Sequence, residues 1–269
     1  MPTEPSASSA SINSGARAAA PERVLGDVGL LSPVTVGHDD GLGDTAVLGA
    51  LVAAEVALTR AWADVGIAPR VVADDVSTAL GWQGPGEVCA LKDAPVEQLA
   101  ADAVAGGNPV IPLVGVLRER VSGDSRVWVH RGATSQDVLD SALMLLAHRS
   151  ASLTVSQLRT AAASLETFAA EHRDAVAAAR TLTQHAVPTT IGLRAAGWLR
   201  GVRRATEHLE RATAALPAQL AGAGGTLASF VQVGGIDAAR ALPAAFAAQL
   251  GLATPDGPWH TQRWPVTEL

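Results

Sequence analysis

One short run of the chain, His130–Ala142, concentrates side chains that bind anions or transfer protons. Its four central positions carry two hydroxyls, an amide and a carboxylate, at Thr134, Ser135, Gln136 and Asp137. Hydroxyls and free backbone N–H groups at the start of a helix form a good site for a carboxylate ligand. The simpler interpretation is an N-cap, in which Thr134 or Ser135 caps a long helix and Asp137 favours its first turn.

A second segment, Arg180–Gly192, places Thr181, Gln184 and His185 ahead of a proline. Its simpler interpretation is a helix–helix connection in which a threonine after the proline caps the next helix. The sequence leaves open whether His185 faces a site or the solvent.

Two further segments offer weaker signals. The glycines of Gly222–Leu227 allow a close approach of the backbone, but no strand precedes them, so a dinucleotide-binding or phosphate-binding loop is excluded by its context. The simplest interpretation of the segment Pro258–Arg263 is an amphipathic terminus.

The order of residue types in the first run resembles the first signature of the fumarase/aspartase superfamily. Its form Gly-Ala-Thr-Ser-Gln-Asp is similar to the 3-carboxy-cis,cis-muconate cycloisomerase branch of that superfamily. In the second segment, Thr181, Gln184, Pro188 and Thr190 match the second signature, typically Thr-His-x-Gln followed by x-Pro-x-Thr. Leu182 departs from it, because fumarase-like and adenylosuccinate-lyase-like members usually carry a histidine there.

The resemblance implies which residues form the site. The residues implied to bind substrate are Thr134, Ser135, Gln136, Thr181, Gln184 and Arg263. His130 or His185 is implied to be the catalytic proton donor. The reaction implied by the resemblance needs no cofactor, and no spacing of His, Asp or Glu in the sequence resembles a metal site. The implied partners are a small dicarboxylate or tricarboxylate substrate and further copies of the chain, in a homotetramer whose active sites combine three subunits.

The implied reaction is the interconversion of 3-carboxy-cis,cis-muconate and 4-carboxymuconolactone. A carboxylate oxygen adds across a double bond, and a proton reaches the carbon next to another carboxylate, so the enzyme must stabilise an enolate-like dianion. Two alternatives stay open: an adenylosuccinate-lyase-like enzyme, against which Leu182 counts, and a non-catalytic helical fragment that associates with full-length subunits.

The family's serine loop, Ser-Ser-x-Met-Pro-x-Lys-x-Asn-Pro, has no counterpart in these 269 residues. We therefore expect the chain to correspond to the N-terminal part of a full family member. Because the loop supplies the serine thought to act as the base, we expect little activity from the chain alone.

The elements that must position these residues are predicted to be helices, so the fold class is all-α. Apolar residues recur at helical spacing from about Thr134 to Ala179 and from about Thr189 to Leu216, which predicts two long antiparallel helices of a bundle. No segment of useful length has strand periodicity. Composition predicts a disordered Ala/Ser-rich tail (1–24). The resemblance implies a small helical N-terminal domain (25–107) and the first part of the bundle domain (108–269).

Composition narrows the functional class. Hydrophobic residues make up 48% of the chain, the net charge is −6 and no basic patch is interleaved with aromatics, which argues against nucleic-acid binding. Cys89 is the only cysteine, so an intrachain disulfide is excluded and a cytoplasmic setting is expected. We predict that no stretch is apolar and long enough to span a membrane.

Overall fold

The computed structural model describes Val34, Val36, Gly37 and residues 41–268. The chain divides after residue 39, and residues 40–269 carry all the elements described below. About 65% of the residues are helical, which confirms the predicted helical class. The predicted disordered tail lies outside the described residues, and the domain boundary at residues 107–108 stays a prediction.

Eight α-helices and one β-hairpin follow one another along the described chain. They are α1 (Asp44–Asp64), α2 (Arg70–Ala79), α3 (Val96–Gly106), α4 (Val110–Arg120), α5 (Ser135–Glu171), β1 (Val176–Thr181), β2 (Gln184–Thr190), α6 (Ile191–Ala214), α7 (Ala228–Leu250) and α8 (Trp264–Thr267). The sequence after the turn at residues 123–124 predicts a short extended piece at residues 126–130. That prediction is wrong for the most part, because Gly123–Trp128 forms a 3-10 helix.

Helix α1 lies at the centre of the core and contacts α2, α5 and α7. It is buried around nearly its whole circumference, as is typical of an apolar helix surrounded by others. The prediction that no segment is apolar and long enough to span a membrane is wrong for α1 by length and composition, the one such helix among the described residues. However, 83% of its most apolar window is buried inside the fold, so its apolarity is explained by the core.

The two predicted long helices exist as α5 and α6 and run antiparallel. Three contacts between them establish the direction: Arg159 with Glu210, Arg203 with Glu166, and the close approach of Gly192 to the Ala169 carbonyl. Residue numbers rise along α5 while they fall along α6, which confirms the predicted antiparallel pair.

The hairpin between these helices corrects the prediction that the chain has no strand. β1 pairs with β2 in antiparallel register through a two-residue turn whose second residue, Thr183, has a left-handed φ of 64°. α5 therefore ends at Glu171, earlier than the predicted Ala179, and α6 begins at Ile191, later than the predicted Thr189. Threonine and valine are frequent in the hairpin, and β-branched side chains favour strands.

The glycines between Gly222 and Gly235 predict a glycine-rich loop over residues 222–235. In the structure this loop ends at residue 227, because α7 begins at Ala228, so the prediction is correct only up to that point. Gly235, with φ 81° and ψ 173°, is not helical and forms a kink between two helical segments of α7. The turn before the kink packs closely on α1, because a Cβ at Gly234 would lie 2.9 Å from the Trp62 ring.

Candidate active site

The start of α5 is organised by the buried carboxylate of Asp137, which is 0% exposed. Its Oδ2 accepts hydrogen bonds from the amides of Thr134 and Gly222, both at 3.0 Å, and its Oδ1 accepts one from the amide of Ala221 at 2.9 Å. Thr134 is thus the N-cap residue, as predicted. The same carboxylate also fastens the start of the glycine-rich loop to this end of the helix.

Two glycines permit this close packing. Gly132 has a φ of 84°, and a Cβ there would lie 2.7 Å from the ring of Phe230. Gly222 has a φ of 71°, and a Cβ there would lie 3.3 Å from the carbonyl oxygen of Gly132. Both positions need a residue that tolerates left-handed backbone and adds no side chain.

The segment around His260 closes over the start of α5. His260 Nε2 lies 2.8 Å from Asp137 Oδ1, and because that carboxylate already accepts three amide N–H groups, the histidine is the donor. Arg263 forms a bidentate ion pair with Asp140 at 2.7 and 2.9 Å. Gln136 Nε2 donates to the same Asp140 carboxylate at 2.8 Å.

An open cleft of about 310 Å³, hereafter the α5 cleft, lies where these segments meet. Its lining residues come from the start of α5, the glycine-rich loop and the segment that carries His260: Thr134, Gln136, Gly224, Gly225, Pro258, His260 and Thr261. Ser135, which lies between Thr134 and Gln136 in sequence, is half-buried. The α5 cleft therefore brings a hydroxyl, an amide and an imidazole together at the N-terminal end of a long helix, where an anion is stabilised.

A second histidine, His130, is held beside this region by α1. Its Nδ1 lies 2.7 Å from Oε1 of Glu55, which is 0% exposed. The backbone at His130 is left-handed, with a φ of 61°. Side chains of two helices anchor the carbonyls on either side: Trp62 Nε1 donates to Arg131 O at 3.0 Å, and Arg118 donates to Val129 O at 3.1 Å.

Both histidines have raised pKa values. Burial lowers the pKa of His130, but the hydrogen bond and the negative charge of Glu55 outweigh burial. The hydrogen bond to Asp137 raises the pKa of His260, against a smaller lowering by burial, and the charges of Asp137 and Asp140 add to the rise. Each buried carboxylate therefore favours the protonated imidazolium of its partner.

The predicted site residues fall into two separate groups within one chain. Thr134, Ser135 and Gln136 lie at the start of α5, together with His130 and Arg263. The other group (Thr181, Gln184 and His185) is exposed on the hairpin beyond the far end of α5. A helix of 37 residues is about 55 Å long, so a single chain does not bring the two groups together.

The structure qualifies the expectation for Arg263. Both terminal nitrogens of its guanidinium are bonded to Asp140, and the group lies over the Trp259 ring at 5.1 Å. In this arrangement Arg263 holds its own segment on α5. Its proposed contact with substrate, like the roles of the other predicted residues, stays a prediction.

The sequence interpretation missed the buried residues that support the site. Glu55 carried a signal, because it is a lone carboxylate in a long apolar helix. The sequence signals for His260 and Asp140 were weaker. His260 lies in a segment that was interpreted from the sequence only through Arg263. Asp140 follows Asp137 by one helical turn, which places both carboxylates on the same face of the helix. Within residues 41–268, no cluster of three or more His, Cys, Asp or Glu side chains has a geometry that holds a metal ion.

Comparison with known proteins places the chain among lyases. A family model described as lyase matches residues 39–262. The nitrosuccinate lyase of Streptomyces davaonensis is 40% identical over 250 residues, which cover 90% of this chain and 51% of that enzyme. The 3-carboxy-cis,cis-muconate cycloisomerase of Pseudomonas aeruginosa is 38% identical over 221 residues, which cover 80% of this chain and 45% of that enzyme. The chain spans about half the length of the curated relatives it matches.

The fold comparison agrees. The crystal structure of the 3-carboxy-cis,cis-muconate lactonizing enzyme from Pseudomonas putida superposes with a TM-score of 0.73 at 32% sequence identity. The match covers 84% of this chain and 49% of that one. The fumarate lyase of Mesorhizobium sp. BNC1 gives a TM-score of 0.71 at 33% identity.

Proposed function

Because the chain belongs to the fumarase/aspartase superfamily of lyases, we propose that the α5 cleft is part of an active site for a small substrate with two or more carboxylates. The observation that carries this proposal is the arrangement of Thr134, Gln136 and His260 around an opening at the start of α5. Hydroxyl, amide and imidazole donors beside a helix N-terminus stabilise carboxylates and the dianions formed from them.

Elimination from nitrosuccinate is the first candidate reaction, supported by the 40% identity that extends over 90% of the chain. In that reaction a base takes a proton from the carbon next to one carboxylate. The resulting enolate-like dianion expels nitrite, which leaves fumarate. The donors of the α5 cleft would stabilise the charge that builds up on the carboxylate oxygens.

Cycloisomerisation of 3-carboxy-cis,cis-muconate is the second candidate, supported by the relative of 38% identity and by the fold match. Here a carboxylate oxygen adds to a double bond, and a proton is delivered to the carbon next to another carboxylate. The intermediate is again an enolate-like dianion, so the same cleft serves either reaction. An adenylosuccinate-lyase-like activity is the third candidate, and Leu182 in place of the usual histidine counts against it.

The separation of about 55 Å between the start of α5 and the hairpin bears on assembly. We propose that Thr181 and Gln184 of one copy reach the α5 cleft of another copy. The exposed hairpin and the exposed apolar side chains of α5 and α6 support this proposal. We also propose that the half of the relatives' length outside the match supplies a base, so turnover by the chain alone should be slow or absent.

Two measurements on the purified chain test the proposal. The first is turnover: nitrite and fumarate release from nitrosuccinate, loss of diene absorbance from 3-carboxy-cis,cis-muconate, and cleavage of adenylosuccinate. The second is binding, followed by amide chemical shifts during titration with fumarate and with the lactone. Thr134→Val removes a cleft hydroxyl, and Thr154→Val, on the exposed surface of α5, is its matched control.

We expect the ligands to shift the amides of the α5 cleft and to bind more weakly to Thr134→Val than to Thr154→Val. The substrate that is turned over decides among the three candidates, and tighter binding of the lactone than of fumarate favours the cycloisomerase. If no substrate is converted and no ligand shifts the cleft, the chain is instead the non-catalytic helical fragment.

A further inference from the structure

We propose that His260, held by the buried carboxylate of Asp137, is a carboxylate-binding residue of the α5 cleft and donates to the ligand through Nδ1. The inference deepens the proposed function by naming a group that the family signatures at residues 130–142 and 180–192 do not contain. Three observations support it: the position of the ring, the bonding of Asp137, and a ring nitrogen that has no partner among the described residues.

The position of His260 gives it access to a ligand. Its ring lines the α5 cleft together with Thr134 and Gln136. Nδ1 lies on the side of the glycine-rich loop, 3.7 Å from where a Cβ of Gly225 would stand. Since Gly225 has no side chain, this edge of the ring is left open to the cleft.

The bonding of Asp137 shows that it does not need His260 as a partner. Its two oxygens already accept three backbone amides, at 2.9 to 3.0 Å. A carboxylate with those three partners is well satisfied even in a buried position. The fourth bond, from His260 Nε2, therefore serves mainly to orient the ring, in the way that a carboxylate orients the histidine of a catalytic or metal site.

The second ring nitrogen is available. Among residues 41–268, the hydrogen bond of the His260 ring is the one from Nε2 to Asp137, and Nδ1 has no partner there. When the ring is neutral, Nε2 carries the proton for Asp137 and Nδ1 is an acceptor, which repels a carboxylate. When the ring is protonated, Nδ1–H becomes a charged donor that points into the cleft and binds a carboxylate.

The surroundings favour the protonated form. Asp137 and Asp140 of α5 stabilise the imidazolium, and Arg263, in the same segment as His260, opposes it. The loop of residues 221–227 contributes no titratable side chain. The raised pKa of His260 thus extends the pH range over which the cleft binds an anion, and binding weakens as the pH rises through that pKa.

The test uses fumarate as the probe, since free carboxyl groups have pKa values of about 4 and fumarate stays a dianion across the range needed. Histidine ring signals of the full chain are followed between pH 5 and 9, with and without fumarate, and the dissociation constant is measured at each pH. His260→Gln keeps a donor for Asp137 but carries no charge, and His260→Ala removes both. His208→Gln, exposed on α6, is the matched control.

We expect fumarate to raise the pKa of His260 by about one unit, which corresponds to an affinity about 10-fold higher for the protonated form. His260→Gln should bind fumarate about 10-fold more weakly at low pH and with no pH dependence, whereas His208→Gln behaves as the original chain. Amide chemical shifts of Ala221 and Gly222 that match those of the original chain would show that the variants retain the fold of the site.

Equal affinity of His260→Gln and the original chain, or a His260 titration that no fumarate concentration alters, would overturn the inference. The proposed function fails separately, when none of its three substrates is converted and the Thr134 region does not respond to any ligand. Binding that is lost in Thr134→Val but kept in His260→Gln would retain the α5 cleft as the site and remove His260 from it.

Discussion

Oε1 of Glu55 lies 2.7 Å from Nδ1 of His130, while Oε2 of the same buried carboxylate has no hydrogen-bond partner among the described residues. A carboxylate with one oxygen unpartnered is costly in the core. Its ion pair with a protonated His130 offsets part of that cost. The histidine is thus coupled to the stability of α1 as well as to the site.

The first prediction concerns Glu55→Gln. The variant keeps an acceptor for His130 but loses the negative charge, so the pKa of His130 should fall. Because the folded-state pKa of His130 is raised, its stabilising effect is full below about pH 6.5 and is lost as the pH rises through the folded pKa. Histidine ring titration measures the pKa, and urea unfolding at several pH values measures the stability.

Glu207→Gln, on the exposed side of α6, is the control for this variant. The stability difference between Glu55→Gln and the original chain should be larger at low pH than at high pH. An unchanged pKa of His130 in the variant would contradict the interpretation of the pair.

The second prediction concerns Asp137→Asn. The amide offers one acceptor oxygen where four donors converge, and its NH₂ group then faces N–H donors. We expect the free energy of unfolding to fall by about 2–4 kcal/mol, the scale for buried donors left unpaired. Denaturant unfolding measures the loss, and Asp174→Asn, at an exposed position, should change stability by less than about 0.5 kcal/mol.

The third prediction separates anchoring from substrate binding at Arg263. Its bidentate pair with the buried Asp140 should give a coupling of about 1–2 kcal/mol in a double-mutant cycle with Arg263→Lys and Asp140→Asn. Lysine keeps the charge but loses the paired geometry. Fumarate affinity, measured under conditions in which the variant is fully folded, should change little in Arg263→Lys. A large loss of affinity with unchanged stability would instead support the direct contact predicted from the sequence.

The fourth prediction concerns the exposed apolar surface of the long helices. Trp198 on α6 is 56% exposed, and Leu193 on the same helix is 64% exposed. Large exposed apolar side chains mark association surfaces. We expect Trp198→Glu to shift sedimentation equilibrium towards the monomer and to change the unfolding free energy at low protein concentration by less than about 0.5 kcal/mol. Identical association of both proteins would argue against this surface as a subunit contact.

Local sequence signals were sufficient for the helices and for the start of α5. Thr134, followed by a carboxylate at Asp137 and a long apolar repeat, is a local pattern with a local physical cause, and the structure has the cap where the sequence predicts it. Thr190 likewise caps α6, because its hydroxyl accepts from the amide of Leu193.

Features that depend on contacts between distant residues could not be predicted from local sequence patterns. The hairpin is exposed on much of both faces, so it lacks the alternation of apolar and polar residues by which strands are recognised. The bonds of Glu55 and His260 join segments far apart in the chain, and no periodicity reports such a contact. The helix start at Thr134, Ser135 and Gln136 was therefore predictable from the sequence, whereas the buried contacts of Glu55 and His260 were not.

The contacts of His260 and Arg263 with α5 also have a consequence for the order of folding. His260 and Arg263 are each 123 positions from their carboxylate partners. Contacts of such long range close a large loop and form late, after the local helices. The α5 cleft should thus be among the last features to appear during refolding. Hydrogen exchange at the Ala221 and Gly222 amides, which Asp137 holds, should become slow only when the His260 segment has docked.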